Sequence, residues 1–385
     1  MLTKVRRMLR KPKAGFPEFD LRSAEHFNEI LRLLYASKAP QLSVHFEILG
    51  DEPQILHLSG IADRYKRSDV GQDAPQKQKA PSDAAPSQVS PPLCQDGAKL
   101  YAIGSYTKIF INLAFVLAVK DQKYKELGLS WQKSACDLFN ELREANGKST
   151  IKRLHGNPTV RQLLLHENGF APMNRLLLAP DGQFIMTDEE FIVDGHRVTD
   201  DHYKEKYPHR GWVEYSNGNH IFAAMILEEL TKLKLSQALD VLVFRKLNFK
   251  STILDQDSLV KYAAQSSTRE PLVRGSQISS EGKLRRLQSP RYLADSIEVA
   301  SFGTWSSLED LATLNRELLL GAQGFETAKL SYSEVEDFLT PGPLCVGETS
   351  TTLCGLFSDI HSEHLGLESP NRMLLLTDPR KFMVI

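Results

Sequence analysis

A serine and a lysine, Ser105 and Lys108, stand immediately before the apolar run of residues 109–119. If residues 105–119 form a helix, the hydroxyl and the amine lie one turn apart on the same face. The other faces carry Ile, Phe, Leu and Val, so this helix is expected to be buried. Burial disfavours the ammonium form, which lowers the pKa of the lysine and lets its neutral amine take the serine's proton. The pair is therefore a candidate nucleophile and general base that needs no histidine.

The spacing Ser-x-x-Lys is weak evidence by itself, because it occurs five times in the chain. The other four pairs lie in polar surroundings, where a lysine is expected to stay protonated. They are Ser130/Lys133, Ser149/Lys152, Ser258/Lys261 and Ser280/Lys283. Only Ser105 opens a long apolar helix, and this singles it out as the candidate nucleophile.

A second element, Tyr215-Ser216-Asn217, precedes another apolar helical pattern at residues 219–233 and is the only Tyr-x-Asn among 11 tyrosines. A phenol and an amide two residues apart at a helix entrance can both point into one cleft. The phenolate is a strong base, and a nearby lysine ammonium is expected to lower the pKa of Tyr215. Tyr215 is therefore a candidate base, and Asn217 a candidate substrate-binding residue.

The two elements together resemble the first two motifs of the serine β-lactamase and penicillin-binding-protein superfamily, in its class C, esterase and acyltransferase branch. Residues 160–169 are similar to the branch's "hLLtHtSGl" segment, with Glu167 and Asn168 departing from its Thr and Ser. Residues 303–311 resemble its "GlwSTaeDLa" helix start. The order of the four segments is that of the family.

The resemblance implies a third motif, KTG or HxG, on a strand beside the serine. His364-Leu365-Gly366 matches the HxG form, although the residues after it lack the family's usual second glycine. By this resemblance His364 and Gly366 help to bind or polarise the acyl group. The backbone N–H groups of Ser105 and Leu367 would form an oxyanion hole.

The fold that the resemblance implies is α+β: an antiparallel sheet flanked by helices, with a helical lobe inserted at about 125–290. The domain would span residues 20–385 after a basic tail at 1–19, with its C-terminal strand and helix truncated. The residue pattern predicts a helix at 20–35, a hairpin at 42–48 and 55–61, and a loop at 264–290. Residues 67–97, rich in Pro, Ser, Ala, Gln and Lys, are predicted to be a disordered insertion.

The activity implied is that of a serine hydrolase acting on a small-molecule ester or amide through a Ser105 acyl-enzyme. Lys108 and Tyr215 would share the general-base work, and Asn217 would position the substrate and the lysine. An alcohol or amine acceptor in place of water would make the protein an acyltransferase of secondary metabolism. A non-catalytic relative that keeps the fold as a binding module is a further alternative.

The composition of the chain argues against several classes of binding partner. Its 385 residues carry 47 basic and 48 acidic side chains, a net charge of -1 that argues against nucleic-acid binding. No apolar run approaches the length of a membrane helix, so no membrane partner is expected. The widely spaced cysteines and the absence of a secretory signal predict a cytoplasmic location. No cofactor is predicted, and no metal, because Asp200-Asp201-His202 matches no metal-binding signature.

Overall fold

The computed structural model describes the segments of the chain that hold the two candidate motifs. These are residues 41–46, 54–59, 99–151, 157–168, 215–266, 271–273, 275–278, 284–286, 300–346, 349–352 and 357–359. The helix predicted at 20–35 and the insertion predicted at 67–97 lie outside the described residues.

Helices and short strands alternate along the described segments. The α-helices are α1 Thr107–Lys120, α2 Gln122–Glu126, α3 Ala135–Ala145, α4 Val160–Leu164, α5 Asn217–Thr231, α6 Leu235–Leu239, α7 Arg245–Leu247, α8 Gln256–Gln265, α9 Leu308–Ala322 and α10 Tyr332–Leu339. The strands are β1 Gln41–Phe46, β2 Gln54–Ser59, β3 Leu100–Ala102, β4 Thr252–Ile253, β5 Leu272–Val273, β6 Ser276–Ile278, β7 Leu284–Arg286, β8 Trp305–Ser306, β9 Pro341–Val346, β10 Thr349–Thr352 and β11 Phe357–Asp359. A 3₁₀ turn, Gly104–Tyr106, precedes α1, and a π-helical turn, Asp240–Phe244, joins α6 to α7.

Helix α1 lies at the centre of the core, as its sequence predicts. Every residue from Thr107 to Ala118 is buried. Phe110 contacts Phe244 and Phe249 edge-on, with ring centroids 5.4 and 5.8 Å apart. A helix that is apolar on all sides is stable only when surrounded, so the position of Ser105 and Lys108 at its start is fixed by the packing of the whole helix.

Helix α5, which follows Tyr215, is the second central helix. It packs against α1, α3 and α4, and its apolar residues 221–227 are buried. The side chain of Ser216 caps it by accepting a hydrogen bond from the Gly218 N–H at 3.2 Å. Because the cap fixes where α5 begins, it also fixes Tyr215 just before the helix and Asn217 as its first residue.

The sheet nearest to α1 is four-stranded, in the order β4-β8-β3-β5. Strand β8 pairs antiparallel with both β3 and β4, whereas β3 and β5 are parallel. Helices and sheet together confirm the α+β class. The hairpin predicted at 42–48 and 55–61 is also confirmed, since β1 and β2 pair antiparallel from Gln41↔Ser59 to Phe46↔Gln54.

The loop predicted at residues 264–290 is wrong in part. Strand β5 pairs with β3 there, and β6 pairs antiparallel with β7. These strands have only two or three residues each, which is too short for an alternating pattern to appear in the sequence. Whether a separate helical lobe spans 125–290 stays a prediction, although α3 to α8 all fall inside that range.

Asp310, in the first turn of α9, connects that helix to strand β4. Its buried carboxylate accepts hydrogen bonds from the N–H groups of Lys250 and Ser251 and from Thr252 Oγ1, at 2.7 to 3.1 Å. The Ser307 side chain caps α9 by accepting from the Asp310 N–H at 3.2 Å. This anchor holds the edge strand β4, which pairs with β8 at the end of the 300–306 segment. Within the part of the chain that the structure describes, no helix is long and apolar enough to cross a membrane.

Candidate active site

The turn that presents Ser105 is held to the central sheet by backbone and hydroxyl hydrogen bonds. Gly104 adopts φ +53°, a left-handed conformation that redirects the chain from β3 into the helix and that glycine adopts at little cost. The Thr107 hydroxyl donates to the Gly104 carbonyl at 2.7 Å and accepts from the Thr304 N–H at 3.1 Å. Ser105 itself is exposed, so a substrate can reach its hydroxyl.

Lys108 lies directly behind the serine and is shielded from water. Only 4% of its surface is accessible, and its Nζ lies 3.4 Å from Ser105 Oγ. Nζ also donates a 2.6 Å hydrogen bond to the backbone carbonyl of Ser301. Burial lowers the pKa of Lys108 from 10.5 to about 7. The expected shift toward the neutral amine is therefore confirmed in direction, and a large fraction of Lys108 is deprotonated at neutral pH.

Tyr215 contacts the same serine. Its hydroxyl donates a 2.8 Å hydrogen bond to Ser105 Oγ. Its ring faces the lysine, with Lys108 Nζ 4.9 Å from the ring centroid, a distance at which an ammonium is attracted to the aromatic face. Because Tyr215 donates to Oγ, the serine's own hydrogen is available to another acceptor, and the Lys108 amine is the second group within reach.

The expectation that a lysine ammonium lowers the pKa of Tyr215 is wrong. Burial raises that pKa, and the hydrogen bond to Ser105 offsets only part of the increase. Although 41% of the residue remains accessible, enough of the phenol is withdrawn from water to disfavour phenolate. The physical reason is that desolvation of the phenol by burial outweighs the hydrogen bond that favours its charged form. Tyr215 is thus a hydrogen-bond donor in the resting site.

Ser301, which sequence reasoning missed, links the two motifs. Its carbonyl accepts from Lys108, and its Oγ donates to the Asn217 carbonyl at 2.7 Å. One fully buried residue therefore contacts both the lysine and the first residue of α5. Nothing in the sequence singles it out, because the contact to the lysine uses only its backbone.

His166 and His220 lie behind the tyrosine and were also not predicted as site residues. The His166 ring lies 4.7 Å from the Tyr215 ring and 5.0 Å from the His220 ring. Burial, and then the charge of Lys108, lowers the pKa of His166 to about 3. The pKa of His220 is also lowered well below its usual value by burial and by these two neighbours. Both histidines are neutral and only weakly basic at physiological pH, whereas the side chains in hydrogen-bond contact with Ser105 Oγ are Lys108 and Tyr215.

Three of the predicted substrate-binding residues, His364, Gly366 and Leu367, lie outside the described residues. Their roles stay predictions, as do those of Ser105, Lys108, Tyr215 and Asn217, although the structure brings these four to one place. Among the described residues, no group of three or more His, Cys, Asp or Glu side chains is arranged to hold a metal ion.

Comparison with known protein families shows which family this chain belongs to. The Beta-lactamase family matches residues 84–343, which is more than half of the chain. The chain belongs to the beta-lactamase family. Both motifs, Ser105-x-x-Lys108 and Tyr215-x-Asn217, fall inside the matched range. A search of curated protein sequences finds no significant match.

Solved structures place this beta-lactamase-family chain in the same fold. A penicillin-binding protein homologue from Pyrococcus abyssi, described as octameric, superimposes with a TM-score of 0.57 at 17% identity over 85% of this chain. The chain spans 63% of the length of that protein. A D-amino acid amidase from Ochrobactrum anthropi SV3 gives 0.52 at 18% identity, covering 88% of this chain and 83% of the amidase. A class C beta lactamase from Rhodobacter sphaeroides gives 0.51 at 18%, covering 87% and 74%.

Proposed function

We propose that this protein is a serine hydrolase that cleaves a small-molecule ester or amide through a Ser105 acyl-enzyme. The observation that carries the proposal is the position of one exposed hydroxyl between a phenol donor at 2.8 Å and a buried lysine amine at 3.4 Å. A lysine whose pKa is about 7 has the proton affinity that a general base needs at neutral pH. Membership of the beta-lactamase family supports the same function.

Acylation begins when the neutral Lys108 amine takes the proton of Ser105. Oγ then bonds to the substrate carbonyl carbon, and the carbonyl π electrons move onto its oxygen, which the Ser105 N–H would stabilise. The new ammonium is held by the Ser301 carbonyl and the face of the Tyr215 ring. When the carbon–nitrogen or carbon–oxygen bond breaks, the leaving group takes a proton from Tyr215, and Lys108 returns one to the phenol.

Deacylation uses water as the nucleophile. The neutral Lys108 amine accepts a proton from the water as the water oxygen bonds to the acyl carbon. The bond between that carbon and Ser105 Oγ then breaks, Oγ takes the proton back from Lys108, and the acid product is released. An amide or ester of modest size suits an exposed serine, and two of the structural relatives are named for C–N bond cleavage, the D-amino acid amidase and the class C beta lactamase. We extend only the bond class to this chain, because the fold does not transfer substrate specificity.

Acyl transfer is the second candidate. It uses the same Ser105 acyl-enzyme and differs only in the acceptor, an alcohol or amine in place of water. A location in the cytoplasm, inferred from the sequence, supports a small metabolite rather than cell-wall peptide as the acyl donor. Alcohols and amines added during turnover separate the two activities: a transferase forms the acylated acceptor at a rate that saturates with acceptor concentration, whereas a hydrolase forms it at most in linear proportion to that concentration.

The proposed function is tested by labelling the purified protein with a fluorophosphonate and with a fluorescent penicillin, beside Ser105→Ala. One mole of label per mole of protein on Ser105, lost in the variant, is the expected result. Ser130→Ala is the matched control, because Ser130 belongs to another Ser-x-x-Lys sequence, and it should label normally. Folded wild-type protein that takes up neither probe would point instead to a non-catalytic relative that uses the fold for binding.

A further inference from the structure

The ring of His166 is placed where it can fix the segment that carries Tyr215. Its Nδ1 lies 3.1 Å from the backbone N of Ser216, the residue next to Tyr215. The same Nδ1 lies 3.1 Å from Nδ2 of Asn219, in the first turn of α5. Both contacts are buried, so water does not replace them when they are lost.

The Ser216 contact determines the tautomer of His166. A backbone N–H can only donate, so Nδ1 must be the acceptor and the ring proton must be on Nε2. The ring is therefore neutral when the contact exists. Its role is that of a fixed acceptor at the start of α5.

A chain of polar side chains extends this contact across three helices. Asn219 forms a reciprocal amide pair with Asn168, with both hydrogen bonds 2.9 Å long. His220 lies beside the His166 ring, and its Nε2 is 2.9 Å from Oδ1 of Asn112, one turn beyond Lys108 on α1. Together with His166, these residues join the end of α4, the start of α5 and the part of α1 that lies one turn beyond Lys108.

The backbone at His166 carries strain. His166 follows α4 with φ +59°, in the left-handed region. This conformation is unfavourable for a residue with a side chain. Strain of this kind persists where surrounding contacts hold a residue in place, and it concentrates at functional sites. Here the conformation coincides with the ring's contacts to both Tyr215 and the Ser216 N–H.

We propose that His166 is a positioning residue, which holds the Tyr215 hydroxyl at Ser105 by accepting hydrogen bonds from Ser216 and Asn219. It touches neither the serine nor the lysine and acts through the start of α5. The inference rests on the proposed function, since Tyr215 is worth positioning only if Ser105 reacts. It adds a residue to the site whose loss slows acylation without removing any reacting group.

Two substitutions separate the acceptor of His166 from its ring. In His166→Asn, Oδ1 takes the place of Nδ1 and asparagine tolerates a left-handed backbone, but the stacked ring is lost. In His166→Phe, the ring remains and the acceptor is lost. Each variant is labelled with a fluorophosphonate well below its melting temperature, and the maximal labelling rate and the half-saturating probe concentration are determined per mole of folded protein.

The expected result is that His166→Phe labels about 10- to 100-fold more slowly at saturating probe, with an unchanged half-saturating concentration, because the tyrosine is misplaced rather than removed. His166→Asn should stay within about threefold of wild type. A purely structural role predicts lower melting temperatures with unchanged rates in both variants, and this outcome overturns the proposal. Slow labelling of His166→Asn but not of His166→Phe also overturns the proposal, because the labelling rate would then depend on the ring and not on the hydrogen-bond acceptor.

A measurement that needs no activity keeps this inference distinct from the proposed function. Hydrogen exchange of the Ser216 amide, followed by NMR, should be slow in wild type and in His166→Asn and faster in His166→Phe. If wild type takes up no probe, the proposed function fails, while the exchange result still decides whether His166 fixes the segment. Equal exchange in all three proteins overturns the positioning role.

Discussion

Replacing Lys108 with methionine is expected to stabilise the protein near neutral pH, and by less as the pH rises. In the unfolded chain the pKa of this lysine is the ordinary 10.5, whereas burial lowers it to about 7 in the folded protein. Between these values the unfolded state binds a proton that the folded state does not, so the free energy of unfolding rises with pH. The free-energy cost of burying Lys108 is therefore complete below pH 7 and absent above pH 10.5.

The size of the effect follows from the pKa difference. Each pKa unit corresponds to about 1.4 kcal/mol, so burying Lys108 costs wild type about 4 kcal/mol at pH 7 and about 2 kcal/mol at pH 9. Methionine avoids this cost, but it leaves the Ser301 carbonyl without the lysine donor, an offset of about 1–3 kcal/mol that does not depend on pH. The pH dependence of the difference between variant and wild type is therefore the quantity to measure.

Urea unfolding of wild type and Lys108→Met at pH 7, 8 and 9 gives this quantity. The stability advantage of the variant should shrink by about 2 kcal/mol between pH 7 and pH 9. Ser105→Ala is the control, because it keeps Lys108 buried and should follow the wild-type pH dependence. An advantage that is constant across this range would refute the reasoning, since Lys108 would then keep the same proton in both states.

Three further outcomes follow from the same contacts. Labelling of wild type should slow about tenfold for each pH unit below 7 and level off above about pH 8, because Lys108 must be neutral to act; a flat profile from pH 5 to 9 would exclude it as the base. Tyr215→Phe should lower the maximal labelling rate about 10- to 100-fold while probe binding is retained, and normal acylation of the variant would remove the phenol from the mechanism. Asp310→Ala should lower the free energy of unfolding by about 3 kcal/mol in urea titration, because two partly buried N–H groups and the Thr252 hydroxyl lose their acceptor; a loss below about 1 kcal/mol would mean that water replaces it.

The sequence identifies the candidate nucleophile and its lysine because their constraint is local. Ser105 and Lys108 are one turn apart, next to a run of apolar residues that predicts a buried helix. Both their relative position and the direction of the lysine pKa shift therefore follow from the pattern. The contact between Tyr215 and Ser105 joins residues far apart in sequence, and no periodicity predicts it. The order of motifs that the family shares predicts this contact instead.

The parts that sequence reasoning missed depend on tertiary contacts of ordinary residue types. Ser301 meets the lysine through its carbonyl, which every residue has. His166 lies inside a segment recognised for its resemblance, yet its left-handed backbone and its acceptor role are visible only once α4 and α5 are placed together. The direction of the Tyr215 pKa was wrong for the same reason, because the desolvation of both partners depends on packing.

The contact of strand β9 with the loop after α4 constrains how this chain can change over time. A Cβ at Gly342 would overlap Oε1 of Glu167, a buried side chain next to His166, and would crowd Leu165. A larger residue at 342 therefore requires the side chains of Glu167 and Leu165 to move or to become smaller. The glutamate that departs from the family pattern and the glycine opposite it are thus coupled, so the effect of a substitution at either position depends on the residue at the other.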